Sequence, residues 1–419
     1  MVGSPVATIA QTPAESTHTS VFSALRHSNF RWYFGGQFIS ISGTWMQMLA
    51  QGWLVFYLTR SELALGLVTF ASGVPALFLS PFAGVVVDRF SRRALLLVTQ
   101  IVQMILAFVL AALVFTELVQ VWHIVFLAFL LGLTKSLDAP ARQAFIKDMV
   151  GHEDMSSGIT LNSIMVNGGR VIGPSLAGVL LASLGAGWCF LLNGVTFIAV
   201  IFSLFVIREK YRVPGVGKGS PIKQMREGLA FSRRHQTILP LLLLAAVAAM
   251  SVVNTITLLP AFADVVLRSP VDGLSLLSAA QGVGAIIGGF MLTVLVNRFG
   301  HGRVAAIMML VWSVAVISLG NTTQVPIAAF LMGLFGASLV LFFVNTNTMI
   351  QLVVPDNYRG RVMSLFTLSF VSLTPLSALF IGAIANSIGT PAMLTILGTI
   401  NGGLALAILM RWPAVWRIE

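Results

Sequence analysis

Runs of roughly 20 apolar residues, separated by short polar connections, recur along the whole chain, and that is the length a helix needs to cross about 30 Å of hydrocarbon. A bilayer core offers no water to backbone N–H and C=O groups, so each run is expected to satisfy them internally as a helix. Twelve spans are predicted. In the first half they fall at about 34–58, 65–87, 94–115, 121–138, 158–183 and 187–207. In the second half they fall at about 238–263, 274–296, 304–320, 325–349, 362–385 and 391–411.

The longest internal polar stretch, Arg208 to Gln236, divides the spans into six and six. The expected organisation is therefore an N-terminal segment at 1–29, a first half at 30–207, a central loop at 208–236, a second half at 237–411 and a tail at 412–419. Within the loop, Ile222, Met225 and Leu229 follow Pro221 at helical spacing, which predicts a short amphipathic helix on the membrane surface. The halves also echo one another: Arg89 and Phe90 after span two are matched by Arg298 and Phe299 after span eight. A pair that short is weak evidence of a repeat by itself.

Composition agrees with this pattern. The 419 residues are 57% hydrophobic and 9% charged, with mean hydropathy +0.92, which excludes a soluble multidomain protein. Residues 1–20 lack the apolar core of a cleaved leader, so the first span is expected to remain. The one cysteine, Cys189, excludes an internal disulfide and argues against a metal site.

A net charge of +11 raises the question of nucleic acid, and the distribution of that charge answers it. If the N-terminus is cytoplasmic, all but three of the 25 Lys and Arg lie in cytoplasmic segments; the exceptions are Arg60, Arg268 and the buried Arg170. That is the positive-inside bias, so no nucleic-acid partner is expected and both termini are placed in the cytoplasm.

The informative residues are the polar ones inside the spans. Arg170 sits mid-way along an otherwise uncharged run, where a central Arg costs about 3 kcal/mol on insertion scales. It must face protein or a water-filled cavity, either attracting an anion or resting on glutamines and backbone carbonyls. Gln37, Ser40, Thr44, Gln47 and Gln51 fall at spacings of three and four on one face of span one. That stripe lines a central cavity or joins helices by hydrogen bonds. Span five carries a comparable row, Ser163, Asn167, Arg170 and Pro174, beside a Gly169/Gly173 pair of the close-packing type. The second half offers uncharged candidates, chiefly Asn254 and Asn345, with Ser251, Thr257, Gln281 and Thr348. Trp45, Trp53, Phe342 and Phe343 read more simply as packing than as a substrate surface. Among acids near the membrane, Glu117, Asp138 and Asp264 lie at predicted span ends, and Asp138 is expected to pair with Lys135.

Gly84, Asp88, Arg89, Ser91, Arg92 and Arg93, between spans two and three, resemble the signature loop of the major facilitator superfamily, with Ser91 where glycine is usual. The resemblance covers the chain after residue 20. Phe30, Arg31, Phe34 and Gln37, then Asn162 and Ser163 with Arg170, Gly173 and Pro174, then Arg359, Gly360, Arg361 and Ser364, are similar to the enterobactin exporter and macrolide efflux branch, the transmembrane secretion effectors. This resemblance implies a bacterial inner-membrane exporter of a small molecule. It also implies that Asp88 locks the cytoplasmic side against the start of span eleven, where Arg359 or Arg361 would meet it and Arg89, Arg92 and Arg93 would tune the closed state. The alternative is that these arginines are topology anchors. In exporters of the superfamily, a glycine-proline sequence in span five lets that helix bend and pack; Gly169, Gly173, Pro174 and Gly178 fit, with one glycine shifted.

The expectation is an all-α integral membrane protein of twelve transmembrane helices in two six-helix halves, the major facilitator fold. Internal repeats and a midplane site are a known route to alternating access. The expected activity is proton-coupled antiport of a siderophore, metabolite or drug, with Asp88, Asp138, Asp264 or the substrate itself as candidate proton carriers. The alternatives are a lysolipid transporter and a non-transporting sensor or assembly protein. No enzyme motif, metal or cofactor is expected: there is no Gly-x-Ser-x-Gly, His-Glu-x-x-His or Walker sequence. The expected partners are membrane lipid, the small-molecule substrate and protons, and the expected oligomeric state is a monomer.

Overall fold

The computed structural model describes residues 22–151, 153–207 and 221–417, without the side chains of 80–82, 84, 85, 88, 221–225, 356, 357, 370–372 and 417. The polar segment at 1–21 and the loop core at 208–220 therefore lie outside the described residues. In chain order the described α-helices are α1 (Ser28–Thr59), α2 (Glu62–Arg89), α3 (Arg92–Phe115), α4 (Val121–Val150), α5 (Met155–Ser183) and α6 (Ala186–Val206). A short helix of the central loop follows, α7 (Pro221–Arg234), starting at the proline as helix N-termini favour. The second half contains α8 (Ile238–Ala261), α9 (Asp272–Phe299), α10 (His301–Gly320), α11 (Val325–Val353), α12 (Asp356–Ile388) and α13 (Thr390–Arg411).

Among the described residues, 11 of these helices are long and apolar enough to cross a membrane. The remaining long helix, α1, has 32 residues, and its glutamine and hydroxyl stripe lowers its apolarity without shortening it. The protein is all-α, with twelve membrane helices in two halves of six.

Local chemistry explains the boundaries. Ser61 and Ser91 cap α2 and α3, each hydroxyl accepting from the N–H three residues on, Ala64 and Ala94, at 3.4 Å. Gly300 and Gly389, at φ 81 and 85, form one-residue turns from α9 into α10 and from α12 into α13. Several helices outrun their predicted spans. The predicted end of span four at 138 is corrected most: α4 continues through Pro140 to Val150, so Lys135, Asp138 and Arg142 lie inside the helix.

The two halves repeat the same packing. α1 packs on α5 and α6 as α8 packs on α12 and α13; α2 packs on α4 as α9 packs on α11; α3 packs on α6 as α10 packs on α13. The Arg-Phe echo sits at the matching ends of α2 and α9. Between halves, α2 lies against α12 and α5 against α9. Small residues let these pairs approach: Gly66 abuts Ala378 O, Gly73 abuts Pro375 and Gly178 abuts Ser275, while a Cβ on Gly282 would sit 2.6 Å from Val171 Cγ2. These two pairs form side walls and leave a space between the halves.

Chain direction defines two faces. The N-terminal face carries the starts of α1 and α5, the α2–α3 turn and α7. The far face carries the α1–α2 and α8–α9 connections. At the N-terminal face, residues 22–27 dock on the start of α5, with Ala24 N donating to Ser157 Oγ at 3.0 Å and His27 Nε2 2.7 Å from Asp154 Oδ2. The 3-10 turn Pro413–Arg417 folds back so that Val415 O reaches Gly302 at the start of α10.

Candidate functional site

The space between the halves is a cavity of about 400 Å3, within the range of small-molecule sites. Its first-half wall carries the charges and most of the amides, set among apolar residues that include Met48, Val55, Leu65, Val68, Leu131 and Phe197. Thr44, Gln47 and Gln51 come from α1, Thr69 and Ser72 from α2, and Gln103 from α3. Lys135 of α4, Arg170 of α5 and Asn193 of α6 complete that side. The second-half wall is largely apolar: Val252, Val253, Ile256, Leu259 and Pro260 of α8 with Leu274 of α9, relieved by Thr257, Ser278 and Gln281.

Arg170 is positioned by its own helix. A Cβ on Gly169 would lie 2.6 Å from Ile41 Cγ2, and one on Gly173 would lie 2.6 Å from both Ser42 O and Trp45 Cβ. Bare backbone at these two positions brings α5 onto α1. The contact then sets the Arg170 guanidinium carbon 4.8 Å from the centroid of the Trp45 ring, a cation–π arrangement. Its Nε is buried without a hydrogen-bond partner. The glutamine and carbonyl shell considered for Arg170 is not found among the described contacts; an indole face is found in its place. The glycines expected to bend α5 serve here as close contacts, Gly178 against α9 included, and Pro174 sits within a continuous helix and lines the cavity.

The α1 stripe divides along its length. Gln47 Oε1 accepts from Asn193 Nδ2 at 2.6 Å, joining α1 to α6 at the cavity wall, so this residue is both lining and joint. Thr44 donates to Ser40 O at 3.0 Å, and Gln51 lines the cavity with no hydrogen-bond partner among the described residues. Gln37 is buried nearer the N-terminal face, away from the cavity, with an unpartnered Oε1.

Other candidates lie elsewhere. Asn167 donates to Ser163 O at 2.9 Å on its own helix. Asn254 is fully buried between α8 and α12, donating to Met250 O at 2.6 Å and Ser377 Oγ at 2.9 Å. Asn345 donates to His301 O at 2.6 Å and ties α11 to the start of α10. The structure thus places these three amides on backbone and neighbouring helices rather than on the cavity, where hydrogen bonds already occupy them.

Lys135 was missed as a cavity residue. It is exposed into the cavity and makes no hydrogen bond or ion pair among the described residues. The expected Lys135–Asp138 pair is corrected: the buried Asp138 accepts from Thr99 Oγ1 at 3.1 Å and Gln100 Nε2 at 2.8 Å, both on α3. The available signal was Ala128, Leu131 and Lys135 at spacings of three and four on one face of α4. None of the described lining residues is acidic, and Lys135 and Arg170 are its two basic side chains.

The far face is held shut by contacts between the halves. Arg60 pairs with Asp264, Ser61 Oγ lies 2.8 Å from Asn386 Oδ1, and Thr390 Oγ1 donates to Glu62 Oε1 at 2.9 Å. Deeper, the hydroxyls of Thr69 and Thr257 lie 3.2 Å apart.

The signature-loop residues occupy the opposite face. Gly84 and Asp88 lie in α2, with Asp88's side chain and Gly84's surroundings outside the described residues. Arg89 and Arg359 are exposed. Arg92 pairs with Asp148 of α4, and Arg93 donates to the last carbonyls of α6, Leu204 O at 2.6 Å and Phe205 O at 3.2 Å. Arg361 pairs with Glu227 of α7 at 3.1 Å and lies over the Tyr358 ring. These three interactions stay within a half or its adjoining loop.

Residues 19–415 match the transmembrane secretion effector family. The chain is 25% identical over 376 residues to the staphyloferrin A transporter of Staphylococcus aureus, covering 88% of this chain and 92% of that protein. It is 27% identical over 396 residues to the enterobactin exporter of Salmonella typhi, covering 91% and 92%. Among solved structures, the nucleoside transporter NupG superposes with a TM-score of 0.72 at 11% identity, covering 93% of this chain and 100% of that one, a likeness of fold. The chain belongs to the transmembrane secretion effector family of major facilitator membrane transporters.

Proposed function

We propose that this protein exports a small amphiphilic molecule across the bacterial inner membrane by alternating access, as a monomer coupled to the proton gradient. The observation that carries the proposal is a ligand-sized central cavity between two repeat-related halves, shut on one face by contacts made between them. The positive-inside distribution supports a far face outside the cell and both termini in the cytoplasm. Relatives described as a staphyloferrin A transporter and an enterobactin exporter support outward movement of a metabolite or siderophore.

In this cycle the Arg60–Asp264 contact opens as the halves rock about the small-residue seams of α2–α12 and α5–α9. Asp88, with Gly84, Arg89, Arg92, Arg93, Arg359 and Arg361, forms the lock that closes the cytoplasmic face. Asp138, a carboxylate within a membrane helix, is the proposed proton carrier, because its two hydrogen-bond donors on α3 would respond to its protonation. The test follows metabolites secreted by cells with and without the protein, before and after a protonophore. Loss of an exported compound on collapsing the gradient, and with Asp138→Asn, is expected. Secretion unchanged by deletion of the protein would reject export, and secretion indifferent to the protonophore would reject proton coupling.

A further inference from the structure

We propose that the cavity is an oriented anion receptor: Lys135 and Arg170 hold the acidic groups of a molecule that carries at least two, while its apolar body lies against α8 and α9. The inference rests on the reading of this cavity as the transport site and names the substrate class it would take.

Three observations converge. First, both cations line one cavity whose described lining contains no carboxylate. Two like charges confined in a region of low dielectric repel, and an anion relieves both their repulsion and their desolvation. Second, neither makes an ion pair among the described residues. Asp138 acts on Lys135 only through space, its carboxylate being hydrogen-bonded to Thr99 and Gln100, and Arg170 rests its face on Trp45. With one face on an indole, the planar guanidinium keeps its edge donors for a carboxylate or phosphate, the geometry that suits bidentate pairing. Third, the opposite wall carries no charge. Val252, Ile256, Leu259 and Leu274 offer an apolar surface to the other end of the same ligand. A molecule acidic at one pole and apolar at the other fits both walls in one orientation. A cationic drug would meet two like charges and is excluded.

The shared chemistry is a polyacidic amphiphile, whether a water-soluble carboxylate or an acyl phosphate from the membrane. The test uses the purified full-length protein and equilibrium dialysis with naphthalene-2,3-dicarboxylate, whose two acids share one edge of the ring system, its monomethyl ester and its dimethyl ester. Each acid removed should weaken binding about 10-fold, the scale of one charge-assisted hydrogen bond. Lys135→Gln and Arg170→Gln should each reduce the ratio of dianion to diester affinity about 10-fold, a ratio that a general folding defect would not move. Competition by lysophosphatidate identifies the source of the ligand: displacement at lower concentration than the naphthalene dianion itself assigns a lipid, weaker displacement a soluble acid. Equal binding of the three naphthalenes, binding of none, or unchanged ratios in both variants would overturn the receptor. Proteoliposomes separate this from failure of the transport reading. A wild type that prefers the dianion yet moves none under an imposed proton gradient keeps the receptor and loses the exporter. One that moves the naphthalenes without regard to charge does the reverse.

Discussion

The two walls of the cavity are built on the same six-helix repeat and carry opposite chemistry. In α5 and in α12 a proline interrupts the run, Pro174 and Pro375, and four residues before it stands Arg170 in one half and Val371 in the other. The first half sets Gln47, Gln103 and Asn193 on the cavity with Lys135 and Arg170, neither of which makes an ion pair among the described residues. In the second half Gln281 lines the cavity, while three asparagines are turned onto neighbouring helices: Asn254 meets Ser377, Asn401 meets Ser313 and Asn345 meets His301. A repeat therefore fixes packing while leaving the cavity-facing positions free to diverge, and the cationic side chains of the lining all come from one half.

The largest effect should come from reversing that charge. Arg170→Glu puts a carboxylate over Trp45 inside the anion pole, and dianion binding by equilibrium dialysis should fall about 100-fold or more, the scale of removing an attraction and adding a repulsion. Retention of wild-type affinity would remove Arg170 from the site.

Next is the contact that places it. Gly173→Leu would drive a side chain into Ser42 O and Trp45 Cβ, whereas Gly289→Leu meets nothing within 4 Å. The first should destabilise the protein by about 1–3 kcal/mol in a denaturant titration and the second by far less. Equal destabilisation would mean that α5 does not depend on bare backbone at that point.

A smaller effect is expected across the repeat. Asn254→Ala removes a buried bond to Ser377 and should cost about 1 kcal/mol of stability while leaving the preference for dianion over diester in place. A lost preference would return Asn254 to the cavity account and blur the contrast between walls.

The smallest effect should follow Arg60→Ala, since its partly exposed pair with Asp264 is worth at most about 1 kcal/mol, a several-fold change in the ratio of two states. Spin labels at Leu63 and Val265 should report a larger population with the far face apart. An unchanged distance distribution would mean that the pair does not gate.

How much of this was visible in the residues depended on how many elements a feature needed. Apolar length alone specified the helices. Arg170, Gln47 and Gln51 were legible because a charge or amide in an apolar run has few places to point. Lys135 was hidden by its surroundings: with Asp138, Pro140 and Arg142 close behind, it read as the end of a span, and only the helix continuing to Val150 places it inside. Asn254 and Asn345 show the opposite ambiguity, since an amide that lines a cavity and one that joins two helices look the same in one chain. The Arg60–Asp264 contact joins residues 204 apart and depends on how the halves meet. The contact between Arg170 and Trp45 likewise required the α1–α5 approach that Gly169 and Gly173 permit.

The most direct test is the affinity of the wild type and of the Lys135→Gln, Arg170→Gln double variant for naphthalene-2,3-dicarboxylate, measured by equilibrium dialysis at one ionic strength. If the first-half wall holds both acids, the double variant should bind about 100-fold more weakly, the combined scale of two charge-assisted hydrogen bonds. A weakening of under about threefold would show that the two cations serve the protein and not its ligand, and would contradict the account.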